Sequence, residues 1–141
     1  MIVQTVTTSF KEDILKGVQD LSTDVINMAL YTATANLDAN TLVYTSVGEV
    51  TDPNYTAGGN DLTVNVTPTN TGNVAYVSFA NTSWTNATIT ANGAMIYNSS
   101  RANACVAVLA FGGDKTSTNG TFAVNFPTAD AASAIIRLTA S

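Results

Sequence analysis

The stretch from Ser83 to Asn98, Ser-Trp-Thr-Asn-Ala-Thr-Ile-Thr-Ala-Asn-Gly-Ala-Met-Ile-Tyr-Asn, limits what this protein can fold into more than any other. Ala87, Ile89 and Ala91 alternate with Thr88 and Thr90, and such alternation marks a strand with one buried face. Past Asn92-Gly93 the apolar positions move to Ala94 and Ile96, a change of parity that predicts a bulge or tight bend at the glycine. The reading is one long central strand, or two strands around a corner. The only tryptophan, Trp84, lies at its start and is the expected core anchor, because an indole buries a large area.

The same chemistry runs through the whole sequence. Thr and Val favour strands because a branched Cβ fits the pleat, while Asn and Gly serve turns. A length of 141 residues fits one domain with a core of its own. The expected fold is mainly β, a single-domain β-sandwich of jelly-roll or immunoglobulin-like type with one short N-terminal helix. Residues 1–8 read as an N-terminal arm or edge strand. Residues 9–141 read as the sandwich domain, including a helix at about 10–20.

Ser9 is the expected helix cap, since Glu12 follows three residues later and completes a capping box. Phe10, Ile14, Leu15, Val18 and Leu21 then recur at helical spacing, with Gly17 as a weak point. Glu12 and Asp13 are placed in the first turn, where the helix dipole favours acids. Val25–Thr32 is the first long strand. Leu62, Val64 and Val66 alternate and pair with Val74, Tyr76 and Ser78 as a hairpin, Pro68 to Asn73 being its turn. Cys105 to Phe111 is a continuous apolar run, as in a strand buried on both faces, and Gly112-Gly113-Asp114 ends it. Phe122, Val124 and Phe126 form a further strand up to Pro127, and Ile135, Ile136 and Leu138 the last.

Charge excludes several functions. A net charge of −5 with five scattered basic residues argues against nucleic acid as a partner. No apolar run approaches the roughly 20 residues that cross a bilayer, so no membrane partner is expected. The N-terminus, Met-Ile-Val-Gln-Thr-Val, lacks the pattern of a secretory signal, which places synthesis in the cytoplasm. Cys105 is alone and reads as a buried, inert thiol.

Catalytic patterns are equally scarce. There is no histidine, hence neither the common general base nor the commonest metal ligand. Gly112-Gly113-Asp114-Lys115-Thr116-Ser117 departs from a phosphate loop because an Asp separates glycine from lysine. Asp38, Glu49, Asp52 and Asp61 are acids in loops, where solvation is their ordinary state. Asp52, Asn54, Asn60 and Asp61 offer oxygens to calcium but without EF-hand spacing. Tyr31, Tyr44, Tyr55, Tyr76 and Tyr97 suit core or interface positions better than a sugar platform. No enzyme, metal or cofactor is expected.

One set of segments carries more. It comprises Phe10-Lys11 through Leu15 and Gly17, Met28-Ala29-Leu30-Tyr31-Thr32, and Tyr44 leading to Glu49-Val50. Tyr55-Thr56-Ala57-Gly58-Gly59, Trp84-Thr85-Asn86-Ala87-Thr88 and Gly93-Ala94-Met95-Ile96-Tyr97-Asn98 follow, then Val106 to Gly112, Gly120-Thr121-Phe122 and Pro127. In this order they resemble small β-rich virion structural proteins of tailed bacteriophages. The resemblance implies a head decoration (cement) protein on the outer surface of the phage head. Its implied partners are the major capsid protein and further copies of itself, as a trimer. One departure is Ala110, where relatives tend to carry an acid before Phe111-Gly112. Within this reading, Ile2, Val3 and Val6 are the candidate capsid or subunit contacts, on an apolar segment able to add to a sheet edge. A tail, fibre or adaptor component is the alternative, and a carbohydrate-binding β-sandwich module a further one.

Overall fold

The computed structural model describes residues 1–139, so the last two positions of the expected 9–141 domain lie outside the described residues. Among the described residues eight strands and one helix follow in the order β1 (Thr5–Val6), α1 (Thr8–Lys16), β2 (Ile26–Tyr31), β3 (Asn60–Leu62), β4 (Val64–Thr71), β5 (Val74–Phe79), β6 (Thr82–Asn98), β7 (Ala104–Val124) and β8 (Ile136–Thr139). They form two antiparallel sheets, one of five strands in the order β1-β7-β6-β2-β3 and one of three in the order β4-β5-β8. One core cluster draws on both, with Ile26, Met28, Leu30, Ile89 and Ile96 from the first sheet and Val77, Phe79 and Ile136 from the second.

The alternating stretch is a single 17-residue strand at the centre of the larger sheet. The parity change is real. Ala87, Ile89 and Ala91 face the main core before the glycine, and Ala94 and Ile96 face it afterwards. The register explains how. Ala91 pairs with Lys115 and Gly93 with Ala110, so Phe111–Asp114 bulge out opposite the single residue Asn92. The two strands expected at Cys105–Phe111 and Phe122–Phe126 are therefore one 21-residue strand. The glycines interrupt the ladder locally while the backbone keeps its direction, with Gly112 at φ 77° and Gly113 at φ 144°.

The expected hairpin exists with two changes. Leu62 pairs with Ile26 in the larger sheet, and the backbone passes to the smaller one at Thr63. Pro68 to Thr71 continue β4, and the turn shrinks to Gly72-Asn73. Pro68 is tolerated there because β4 is an edge strand and its register slips between Val66 and Thr69.

The helix starts two residues early and stops four short. Thr7, not Ser9, caps it: its hydroxyl accepts from the Phe10 N–H at 3.3 Å and donates to the Cys105 carbonyl at 3.0 Å. That anchor to β7 fixes where the backbone enters the helix, and it moves Glu12 and Asp13 beyond the first turn. Glu12 pairs instead with Lys16 along the exposed face. At the other end Gly17 adopts a left-handed φ of 69° and the Val18 N–H bonds the Asp13 carbonyl at 2.9 Å, which closes the helix. Phe10, Ile14 and Leu21 pack on the core, whereas Leu15 is 89% exposed.

Behind the helix a polar knot ties its exit to β6. The Asn98 amide donates to Gln19 and Asp24, and the Gln19 amide donates to Asp13. The Asp24 side chain is only 6% exposed and also accepts from Arg101. Burial alone raises the Asp24 pKa, but hydrogen bonds from the Asp20 N–H, Asn98 and Arg101, with the Arg101 charge, outweigh it and hold the carboxyl below its ordinary 3.8. A depressed folded value means a stabilising contribution that is complete above the unfolded value and lost as pH falls through the folded one. Urea titrations should therefore show the stability gap between wild type and Asp24→Asn narrowing as pH is lowered below 3.8. A gap that stays constant down to strong acid contradicts this account of Asp24.

Candidate functional site

The loop from Thr32 to Gly59 joins β2 to β3; its first part lies over the second face of the larger sheet, while Val50 and Tyr55 pack into the main core. Ala35 and Leu37 from this loop form a second core cluster with Ile2, Ala29, Tyr31, Met95, Tyr97, Cys105 and Val108. Strand β2, β6 from Gly93 to Asn98 and β7 from Cys105 to Leu109 are thus buried on both faces, as the continuous run at Cys105 predicts. A segment this long with so little regular structure needs something to hold it, because unpaired backbone is costly to bury.

Glu49 supplies that hold. One carboxylate oxygen accepts from the Tyr55 hydroxyl and the Gly58 N–H, each at 2.7 Å, and the other accepts from the Tyr44 hydroxyl at 2.6 Å. Tyr55 in turn accepts from the Leu30 N–H at 2.9 Å, which ties the knot to β2. The Tyr97 hydroxyl donates to the Gly58 carbonyl at 2.7 Å and its ring stacks on Tyr44 at 4.9 Å. Tyr31 donates to the Thr45 carbonyl at 2.6 Å. Burial first, and then Glu49, by its hydrogen bonds with Tyr44 and Tyr55 and by its charge near Tyr31 and Tyr97, push these four hydroxyls above the ordinary tyrosine range. They remain protonated donors, as a clasp around an anion requires.

Four of the five tyrosines thus surround one carboxylate, an arrangement that spacing alone does not reveal because Tyr31 and Tyr97 come from strands and the rest from the loop. Tyr31, Tyr55 and Tyr97 are buried, so their rings serve the fold. Replacing Glu49 by Gln keeps the shape but gives one of the three donors no acceptor. We expect a loss of about 1–3 kcal/mol in urea unfolding, with Tyr44 and Tyr55 titrating at lower pH; unchanged stability would mean the clasp carries no load.

The other candidate residues are placed as follows. Ile2 is 8% exposed within the second cluster and bridges Leu37, while Val6 is half-buried, pairs with Ala107 in β7 and packs on the main core. Val3 is 44% exposed, so of the three it presents the most surface outward. The N-terminal ammonium donates to the Ala35 carbonyl and to Asn36. Residues 1–6 are thus paired within the protein itself, and β1 is an edge strand of the larger sheet. Trp84 is buried against Tyr55 and Phe122. At Ala110 the N–H donates to the Gln4 side chain at 3.3 Å.

The residues with calcium-like chemistry do something else, and Asn60 and Asp61 lie in β3 rather than in a loop, paired with Met28 and Asn27. Asp52 accepts the Thr88 N–H at 3.1 Å, the Asn54 amide donates to the Asn86 carbonyl at 2.7 Å, and the Asn60 amide donates to the Ser83 carbonyl at 3.0 Å. They occupy main-chain groups along the free side of β6, where an uncovered edge invites pairing with other proteins. Asp61 accepts from Asn27. Among the described residues no group of three or more His, Cys, Asp or Glu is placed to hold a metal, and no helix is long and apolar enough to cross a membrane. Burial pushes the Cys105 thiol up to about 12, which keeps it in its unreactive form.

Comparison with protein-family models, with curated proteins and with solved structures finds no match to this sequence.

Proposed function

We propose that this chain is a structural protein of a tailed-bacteriophage virion, foremost a head decoration (cement) protein that binds the outside of the assembled capsid. The observation that carries the reading is where the resembling segments meet. Met28 to Thr32, Tyr44 to Val50, Tyr55 to Gly59, Trp84 and Gly93 to Asn98 are far apart in sequence, yet they build the Glu49 clasp and the sheet beneath it. A resemblance scattered along a sequence gains weight when its pieces form one physical unit. In this proposal the sandwich is of jelly-roll or immunoglobulin-like type.

The side chains support a structural role in a second way. Glu49, Asp52, Asp61 and Asp24 each accept hydrogen bonds that hold the fold, so acids that elsewhere do chemistry are here committed to architecture. A cement protein acts by binding only the assembled lattice, which stabilises the shell by mass action, and symmetry repeats the contact many times. Its partners are the major capsid protein and further copies of itself.

Quantitative mass spectrometry of purified virions, counting this protein against the major capsid protein, tests the reading. A ratio near one, or a fixed large fraction of it, is the expected result. A handful of copies moves the protein to the tail or fibres, and absence from virions overturns the proposal.

A further inference from the structure

Two Asn-Gly pairs occur in the sequence, Asn92-Gly93 and Asn119-Gly120, and the fold treats them differently. We propose that Asn119 is a site of spontaneous chemical modification, converted to isoaspartate or aspartate through a cyclic imide, while Asn92 is protected. This inference is independent of the virion reading.

The register of the β6–β7 ribbon sets Asn119 apart. Ala87 pairs with Gly120 and Ile89 with Ser117, so Thr118 and Asn119 bulge out without partners in the ladder. Asn119 is exposed and holds a left-handed φ of 45°. Its own N–H donates to the Thr88 hydroxyl at 3.1 Å, a bond that does not engage the Gly120 nitrogen. Around Gly120 there is room: a Cβ built there meets nothing nearer than the Thr118 carbonyl at 3.5 Å. Unpaired segments of this kind open locally at low cost.

Asn92 sits in the opposite situation. Its amide donates to Asp114 at 3.0 Å, and it is half-buried. Gly93 is buried, paired on one side with Tyr31 and on the other with Ala110. A Cβ built on it would overlap the Leu109 carbonyl and come within 2.8 Å of Ile2 Cγ2. A five-membered ring has no space to form there.

The chemistry needs only water. The Gly120 nitrogen attacks Asn119 Cγ, the bond from Cγ to Nδ2 breaks, and ammonia leaves carrying the proton from the Gly120 amide. Water then opens the imide at either carbonyl and leaves a carboxylate. One opening yields aspartate and the other isoaspartate, which adds a methylene to the backbone of β7. Each conversion adds a negative charge to a protein already at −5.

Trypsin separates the two sites, since cleavage at Lys16, Arg101, Lys115 and Arg137 puts Asn92 in the peptide Gly17–Arg101 and Asn119 in Thr116–Arg137. The full-length folded protein is held in mildly alkaline buffer at growth temperature, then digested and weighed at intervals. Thr116–Arg137 should gain one mass unit at Asn119 progressively while Asn92 stays unmodified, and incubation in urea should bring both sites to similar rates. Gly120→Ala, which the open surroundings accommodate, should lose most of the conversion, as should Asn119→Gly. Equal rates in the folded protein, conversion at Asn92 alone, or none at Asn119 would overturn the proposal. So would Gly120→Ala converting as fast as wild type, or Asn92 remaining inert in urea.

Discussion

Gly59→Ala should unfold the loop side of this protein and cost about 4 kcal/mol, the sum of overpacking and backbone strain. Gly59 holds φ at 78°, a conformation that a side chain resists. The steric conflict is larger still. A Cβ at this position would overlap the Met28 carbonyl oxygen and fall 2.9 Å from the Ala29 Cα, both backbone atoms of β2 that cannot swing aside. The loop would have to lift away. Asn60 and Asp61, which pair with Met28 and Asn27, would go with it, and so would the Gly58 N–H that Glu49 accepts. Urea unfolding followed by far-UV circular dichroism reads the loss, and hydrogen exchange at Leu30 and Gly58 reports whether the clasp opens. Gly17→Ala is the internal control. That glycine also has a positive φ, but a Cβ there meets nothing within 4 Å, so the cost should be confined to the strain, about 1 kcal/mol. Equal costs at the two glycines would show that crowding against β2 is not what fixes Gly59.

The contrast between these glycines shows what a sequence discloses and what it withholds. The half-buried strand at Ala87–Ala91, the change of parity at Gly93 and the doubly buried run at Cys105 were legible because period-two patterning is local. Gly17 was legible as a weakness in a helix, but whether a glycine interrupts or ends a helix depends on the residues after it; here the Val18 N–H finds the Asp13 carbonyl. The join of Cys105–Phe111 to Phe122–Phe126 was not legible. The three residues Gly112-Gly113-Asp114 look the same whether the backbone reverses or merely bulges, and only the partner strand decides. Least legible was the clasp. Glu49 in a loop reads as a solvated acid, and its three donors come from positions 44, 55 and 58, with the orienting bond from Leu30. Spacing of that kind carries no periodic signal.

Trp84→Ala should cost about 3–5 kcal/mol, the range for deleting a large buried aromatic. The indole is 4% exposed and sits between the Tyr55 ring at 5.7 Å and the Phe122 ring at 6.4 Å, with Phe111 a further 6.3 Å along. This row of rings runs from the clasp loop, across β6, to the bulge of β7, so an empty slot at its centre loosens three elements at once. Trp84→Phe separates volume from polarity. The indole N–H is buried without a hydrogen-bond partner, and an orphaned donor costs about 1–3 kcal/mol. Phenylalanine removes that orphan while leaving a smaller gap, so the two effects oppose, and a net change within about 1 kcal/mol follows. The measurement must use circular dichroism, because Trp84 is the only tryptophan and both variants lose its fluorescence. In the wild type that same fluorescence should be blue-shifted and shift red on unfolding. If phenylalanine costs as much as alanine, the N–H is satisfied after all by a buried water, and Trp84 holds the loop by a hydrogen bond rather than by packing alone. If alanine costs little, Tyr55 and Phe122 close the gap between themselves, and the anchor of the core must lie instead with Glu49.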